Sequence, residues 1–340
     1  MKHVNIPIFI PHLGCPNDCV FCNQRSISGK QTFCRESVDE EIRNALSTLS
    51  EDADTEIAFF GGSFTGIDRE LMVYLLDTAQ KYVDSGRVSR IRLSTRPDYI
   101  DREILTLLSH YSVKTVELGL QSMDNAVLEA SRRGHTAECG EAACKMVKEF
   151  GFSLVGQMMV GLPKSTSESE VYTAKRLCEL GVDAVRVYPT VVFYDTELCL
   201  MAQRGDYTPL SNDEAVERTK ELLRIFDERN VECIRVGLCA SENLSSKDRV
   251  FGGANHSAIG ELAMGEVFYG KACEALDMLA DNQSLDGKSA VLYVARGATS
   301  KAIGQRRKNI ERIIKKYSLK SVKVLEKNEI LGYNIIISIV

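Results

Sequence analysis

No run of about 18 apolar residues occurs in this chain, so its sequence offers no candidate membrane-spanning helix. The N-terminus, reading Met-Lys-His-Val-Asn-Ile-Pro, also lacks the apolar core and small-residue cleavage site of a secretory leader, which makes the cytoplasm the expected location. Internal repeats and low-complexity tracts are missing too, which argues against a solenoid or a disordered tail. Positive charge is not in excess: 42 Lys and Arg against 47 Asp and Glu give a formal net charge of −5, so the molecule as a whole is no glove for nucleic acid. Eleven cysteines are present, yet a 340-residue chain is too large to need disulfide staples, and a reducing compartment fits better. Cys34, Cys139, Cys144, Cys178, Cys199, Cys233, Cys239 and Cys273 are scattered and are expected to pack as small hydrophobes; an auxiliary cluster built from Cys139, Cys144, Cys233 and Cys239 is the alternative.

A fourth ligand is the most informative absence. Cys15, Cys19 and Cys22 lie in Gly-Cys-Pro-Asn-Asp-Cys-Val-Phe-Cys-Asn with no further cysteine at comparable spacing. Closed zinc sites and ordinary four-iron clusters take four protein ligands, so three thiolates leave one metal valence open for chemistry. A zinc knuckle completed by His12 or a distant thiol, and cysteines buried as small hydrophobes, are the competing readings of the triplet taken alone.

The composition, 44% hydrophobic and 26% charged, supports a large core. Apolar β-branched runs at residues 5–10, 57–60, 91–94, 115–118, 153–160 and 184–188 alternate with helix-period segments. That order predicts six parallel strands with crossover helices, an α/β fold of the partial-barrel kind. Ser37 followed by Glu40 reads as a capping box, and His135 as a polar cap in preference to a proton donor. Cys15–Cys22, Gly61-Gly62-Ser63-Phe64, Thr95-Arg96-Pro97, Gly119-Leu120-Gln121-Ser122 and Gly161-Leu162-Pro163 each follow a strand, so five unusual loops are expected on one rim, where barrel ligands collect. Beyond Pro189 a long polar connection leads to a strong helix over 212–229 and a strand near 233–236, then a mostly helical stretch. The chain is expected to divide into a core barrel, residues 1–245, and a small C-terminal α/β extension, residues 246–340. Between Thr299 and Lys327 stand ten Lys or Arg against Glu311 and Glu326. Arg312, Lys315 and Lys316 fall three and four apart, so the stretch is either a phosphate-binding face or a solvated helix surface.

The triplet, with Phe21 just before its last cysteine, resembles the cluster loop of the radical S-adenosylmethionine (radical SAM) superfamily. Further segments resemble the radical SAM domain of the Elongator catalytic subunit family: Ser-Thr-Arg-Pro-Asp (94–98), Val-Glu-Leu-Gly-Leu-Gln-Ser (116–122), Arg-Arg-Gly-His-Thr (132–136), Gly-Gln-Met-Met-Val-Gly-Leu-Pro (156–163), Arg-Val-Tyr-Pro-Thr (186–190) and Gly-Gly-Ala-Asn-His-Ser-Ala-Ile-Gly-Glu (252–261). This collinear series, spanning about Ile8 to Glu261, argues against a zinc knuckle. The resemblance implies a TIM-like (βα)6 partial barrel, a [4Fe-4S] cluster on Cys15, Cys19 and Cys22, and S-adenosylmethionine as cofactor. It also implies an electron donor such as ferredoxin or flavodoxin. By the same resemblance the cofactor lies near Phe21, Gly61, Gly62 and Ser63, its ribose at Gln121, its carboxylate at Arg133, with Gln157 and Arg186 in the same pocket. Ser94 departs from the Glu often found in relatives, Gln157 from His or Asp, and Arg186 from Lys. About 80 residues after Glu261 leave no room for an acetyltransferase domain of ordinary size. The expected activity is reductive cleavage of S-adenosylmethionine and hydrogen abstraction, with RNA or tRNA the first candidate substrate and a small metabolite or tetrapyrrole the second. A non-catalytic iron-sulfur or RNA-binding protein is the reading from another class. No catalytic residue is assigned from the sequence.

Overall fold

The computed structural model describes residues 3–11, 13–15, 19–23, 32–238 and 248–340. Seven parallel strands form one curled sheet in the order β1-β2-β3-β4-β5-β6-β8. They are β1 (His3–Phe9), β2 (Asp54–Phe60), β3 (Arg90–Thr95), β4 (Val113–Gln121), β5 (Ser153–Val160), β6 (Ala184–Pro189) and β8 (Glu232–Val236). Six were expected; Glu232–Val236 extends the barrel as a seventh, pairing in parallel with β6. Helices α1 (Val38–Ser47), α2 (Arg69–Asp84), α3 (Arg102–Ser109), α4 (Asn125–Ala130), α5 (Ala137–Glu149) and α6 (Ser167–Glu179) lie in the crossovers between these strands.

Alternation along each strand assigns the two faces. Ile57 and Phe59, Ile91 and Leu93, Val116 and Leu118, and Val185 and Val187 point outward and join Leu75, Leu105, Val147 and Leu177 in one apolar layer beneath the helices. The intervening residues face the concave side as a polar layer, Glu56, Glu117 and Arg186 buried and Arg92 partly buried among them. A parallel sheet with one apolar and one charged face is unusual, because both faces are ordinarily covered by helices.

Local signals decided the helix starts only in part. Ser37 donates to Cys34 O and Glu41 Oε1 and caps nothing, so no capping box forms with Glu40. Thr136, not His135, caps α5 by accepting from Cys139 N. Capping boxes do form at Thr166–Ser169, opening α6, and at Ser211–Glu214, opening α8 (Asn212–Glu228).

After β6 the chain makes β7 (Val191–Phe193), which pairs antiparallel with β9 (Val250–Gly253), and α7 (Glu197–Arg204). The 22-residue α9 (Ile259–Ala280) then serves two cores: Ala263 and Val267 pack on Val216 and Leu223 of α8, while Ala272 and Leu276 enter a second core. That core holds β10 (Ser289–Val294) between parallel β11 (Ser321–Glu326) and antiparallel β12 (Ile336–Ile339), with α10 (Thr299–Ile303) and α11 (Lys308–Tyr317). Among the described residues no helix is long and apolar enough to cross a membrane.

Part of the basic stretch is neutralised within the fold, through ion pairs of Lys308, Arg312 and Lys316. Arg312 donates to both carboxylate oxygens of Glu266 at 2.6 and 2.8 Å and lies 3.5 Å from the Tyr269 ring centroid, while Lys316 reaches Asp277 at 3.4 Å. Those two cations therefore face α9 instead of sharing a free surface with the exposed Lys315. Arg306, Arg307, Lys315, Lys320, Lys323 and Lys327 are the exposed cations of this stretch that form no ion pair among the described residues, Lys327 lying instead over the Tyr293 ring.

Candidate active site

The loops leaving the strands interlock through glycine. Gly14 has φ +72°, and a Cβ on it would lie 2.2 Å from Ser63 O; a Cβ on Gly62 would lie 2.1 Å from Leu13 O; one on Gly66 would lie 2.5 Å from Gly14 O. Such distances are far inside van der Waals contact, so the loop leading into Cys15 and the loop after β2 approach backbone to backbone as only glycine permits. Ser63 N donates to Leu13 O at 3.1 Å across the same seam. The glycines at 61 and 62 thus have an intramolecular role that the motif alone did not disclose. Gly61, at φ +111°, is also held against the Ile10 backbone.

Ser63 is fully buried and its hydroxyl is committed to Thr95 Oγ1 at 2.8 Å and to Arg96 N at 3.2 Å. Thr65 Oγ1 lies 2.6 Å from Thr95 Oγ1 and donates to Tyr99 O at 2.7 Å. These hydroxyls tie the rim loops after β2 and β3 together. Between Cys19 and Cys22 the chain turns tightly, Cys22 N donating to Cys19 O at 3.0 Å, while Val20 is clamped by Ser131 O and Leu198 N at 3.2 and 2.8 Å. Phe21 packs beside Val20, Val192, Leu198 and Tyr207, so its ring anchors the loop to the β7–α7 side.

Two buried guanidiniums stand over the thiols. Arg133 Nη1 donates to Cys19 Sγ at 3.2 Å and Nη2 to Gly119 O at 2.5 Å; Arg96 Nη1 approaches the same sulfur at 3.8 Å. Arg96 is oriented by a two-point bond to Asp98 at 2.9 and 2.8 Å and by the Arg133 carbonyl. Burial pushes the Cys15 thiol pKa upward, opposed by Arg96 and Arg133 and reinforced by Cys19, so these four groups share one electrostatic neighbourhood. Beside them Gln121 is buried at a non-glycine φ of +68°, where β4 slips register against β5, and its Oε1 has no hydrogen-bond partner among the described residues; the same holds for Arg133 Nε. His135, pushed down to about 4 by burial and then by Arg133, stays neutral with an unpartnered Nε2.

This donor set fits a polar, thiolate-held cofactor. Among the described residues no three His, Cys, Asp or Glu side chains converge as a single metal ion would require. A cluster makes no such demand, because each thiolate binds a different iron. His12, the other partner proposed for a zinc knuckle, and Cys239, one of the four thiols of the auxiliary-cluster alternative, lie outside the described residues. Of the remaining three, Cys144 is buried and Cys233 is pushed up to about 12 by burial, which suits packing.

Gln157 and Arg186 sit deeper. Gln157 is in register with Gly119 on one side and Arg186 on the other. Arg186 is joined to Glu117, Nη2 to Oε1 at 3.0 Å, and its guanidinium carbon lies 5.5 Å from the Phe60 ring centroid. Sequence reasoning missed Glu117, which also takes Arg92 Nη1 at 2.8 Å and Ser94 Oγ at 3.2 Å. The acid absent at 94 therefore has a counterpart one strand over, already engaged by two arginines. Arg96 and Gly14 were missed as well, although both lie inside or beside motifs that the sequence displays.

A model of the radical SAM superfamily matches residues 9–177, and one of the radical SAM C-terminal domain matches residues 182–267. A protein of Methanocaldococcus jannaschii called uncharacterized is 29% identical over 234 residues, 65% of this chain and 71% of that one. The tRNA uridine(34) acetyltransferase of the same organism is 30% identical over 182 residues, 48% of this chain but only 34% of the relative. Among solved structures, Methanocaldococcus infernus Elp3 with an N-terminal deletion shares the fold with a TM-score of 0.61 at 20% identity, covering 79% of this chain and 68% of that one.

Proposed function

We infer, since this chain belongs to the radical SAM superfamily, that Cys15, Cys19 and Cys22 hold a [4Fe-4S] cluster and that the protein reductively cleaves S-adenosylmethionine. The observation that carries this reading is the seam of Gly14, Gly62 and Gly66, which seats the cysteine loop directly against the glycine loop beneath Arg96 and Arg133. Held by Cys15, Cys19 and Cys22, a reduced cluster would supply the one electron that breaks the sulfonium–adenosyl bond of S-adenosylmethionine, with methionine leaving and hydrogen abstraction left to the adenosyl fragment. The chain's own residues do the positioning. Arg133 Nε and Gln121 Oε1, buried without partners, offer a donor and an acceptor to the cofactor's carboxylate and ribose. Phe21 and the clamp on Val20 hold the thiols in place and keep water from that side. An electron donor of the ferredoxin or flavodoxin class is proposed as partner.

Anaerobic reconstitution with iron, sulfide, dithionite and S-adenosylmethionine is expected to give 5′-deoxyadenosine from the native protein. Cys22→Ala should lose the brown absorbance and the product while its far-UV dichroism persists. A fully loaded native cluster that forms no 5′-deoxyadenosine would remove the enzyme reading.

RNA is the proposed substrate class, supported by the name of the tRNA-modifying relative and by the unpaired cations near α11. Binding of tRNA should weaken as salt rises, and Arg306→Gln/Arg307→Gln/Lys315→Gln should flatten that slope by up to about 2–3 units if all three meet phosphates. Binding indifferent to both salt and these changes would exclude the proposal. Arg312 is unsuited to that test, because its loss also takes the two-point partner from Glu266 and leaves it only Lys308 at 3.8 Å.

A further inference from the structure

The concave face of the half-barrel carries charges that the rim loops do not use. Asp54 pairs with Arg90 at 2.8 Å, Arg90 with Glu56 at 3.3 Å, Glu56 with Arg92 at 2.7 Å, Arg92 with Glu117 at 2.8 Å and Glu117 with Arg186 at 2.9 Å. Three carboxylates alternate with three guanidiniums, so the row by itself is neutral.

Arg235 breaks that balance. It lies on β8, the edge strand, in register with Arg186, and its one hydrogen bond among the described residues runs from Nε to Gly237 O at 3.1 Å. Like charges directly opposite on neighbouring strands destabilise a sheet unless something neutralises them. Glu232, at the start of the same strand, is exposed and aligned with Ala184 instead. Arg186 is only 9% exposed and also keeps an Nε that makes no hydrogen bond, although it lies 2.9 Å from Glu117 Oε2. Tyr188 shares the inward face two residues beyond Arg186. Burial raises its phenol pKa, Arg186 and Arg235 pull it down and Glu117 pushes it up again, so the hydroxyl remains a donor within the field of two cations and one carboxylate.

We propose that Arg186, Arg235 and Tyr188 form a subsite at the open edge of the half-barrel that takes an oxyanion of the substrate, a phosphate ester or a carboxylate. Arg235, without an ion pair among the described residues, standing beside Arg186 and a hydroxyl donor, matches the charge and the several acceptor oxygens of either group. The assignment rests on the reading of this chain as an enzyme whose substrate enters the barrel. It adds that the substrate carries a negative group and enters beside β8.

The test uses full-length reconstituted protein at low ionic strength, with inorganic phosphate and malonate as separate probes in titration calorimetry. Saturable binding of at least one probe is expected, weakened by about tenfold or more in Arg235→Gln, largely restored in Arg235→Lys and unchanged in Lys145→Gln, an exposed change on α5. Preference for phosphate indicates a phosphate ester, and preference for malonate a carboxylate. Removing one of two repelling cations should raise the melting temperature of Arg235→Gln in anion-free buffer and abolish the further rise that the probe gives the native protein. Probe binding unaltered by Arg235→Gln, no saturable binding at all, or equal destabilisation with and without the probe would overturn the proposal. None of these readouts needs turnover. A native protein that fails to make 5′-deoxyadenosine therefore removes the enzyme reading alone, while absent anion binding removes the subsite alone.

Discussion

Glu117→Gln is expected to destabilise the barrel by about 3–5 kcal/mol, because removing one partner of a buried ion pair leaves the other charges uncompensated. Glu117 is 1% exposed and takes Arg92, Arg186 and Ser94 at once. An amide keeps one carbonyl acceptor but turns an NH2 toward a guanidinium and cancels the only carboxylate between two arginines. At about 2–4 °C per kcal/mol for a domain of this size, the melting temperature should fall on the order of 10 °C. Ser94→Ala, which deletes one neutral donor to the same carboxylate, should cost about 1 kcal/mol. Thermal and urea unfolding of the two variants beside the native chain measure this difference. Equal, small losses would mean that water replaces the carboxylate and that the node is not dry.

Gly62→Ala should leave the fold largely intact and sharply lower activity. The new methyl would stand 2.1 Å from Leu13 O, so either the loop entering Cys15 or the loop after β2 must retreat. A displacement on the order of 1 Å at a reacting centre can cost about 10²-fold in rate. We expect reduced iron per chain after reconstitution and 5′-deoxyadenosine formation lower by about that factor. Gly14→Ala should behave alike, with the added strain of its φ of +72°. Gly270→Ala is the control: its helical position in α9 has open space around a Cβ, and the change should be neutral or slightly stabilising. Full iron content and an unchanged rate in Gly62→Ala would show that the seam tolerates separation.

Much of the site could be read before the structure because its signals are local. The cysteine spacing, the glycine run after β2 and the loops after β3 and β4 each lie within a few residues, and they do share a rim. What stayed hidden is non-local. Glu117 meets Arg92 and Arg186 from 25 and 69 residues away, and its own segment displays nothing but an acid in a strand. Arg235 is likewise unremarkable until β8 pairs with β6. Spacing correctly put Arg312 and Lys316 one turn apart, yet only packing reveals Glu266 and Asp277 opposite them. The count of six strands fell short because Glu232–Val236 is short, with mixed burial, and reads as an isolated piece once the connection after Pro189 interrupts the pattern. Capping failed at Ser37 because its hydroxyl found a carbonyl and a carboxylate nearer than the helix amides.

The row of charges on the concave face also protects the chain from itself. Parallel strands joined by long crossovers must find one another across large separations, and a slip of one residue would reverse both faces of a strand. For β3 that error would turn Arg90 and Arg92 into the apolar layer beneath the helices and expose Ile91 and Leu93 to the lumen, leaving Glu56 without its arginines and Glu117 with Arg186 alone. Mispairing is thereby made far more costly than in a sheet apolar on both faces, so the alternation from Asp54 to Arg186 works as a proofreading device during folding as well as a lining for the finished barrel.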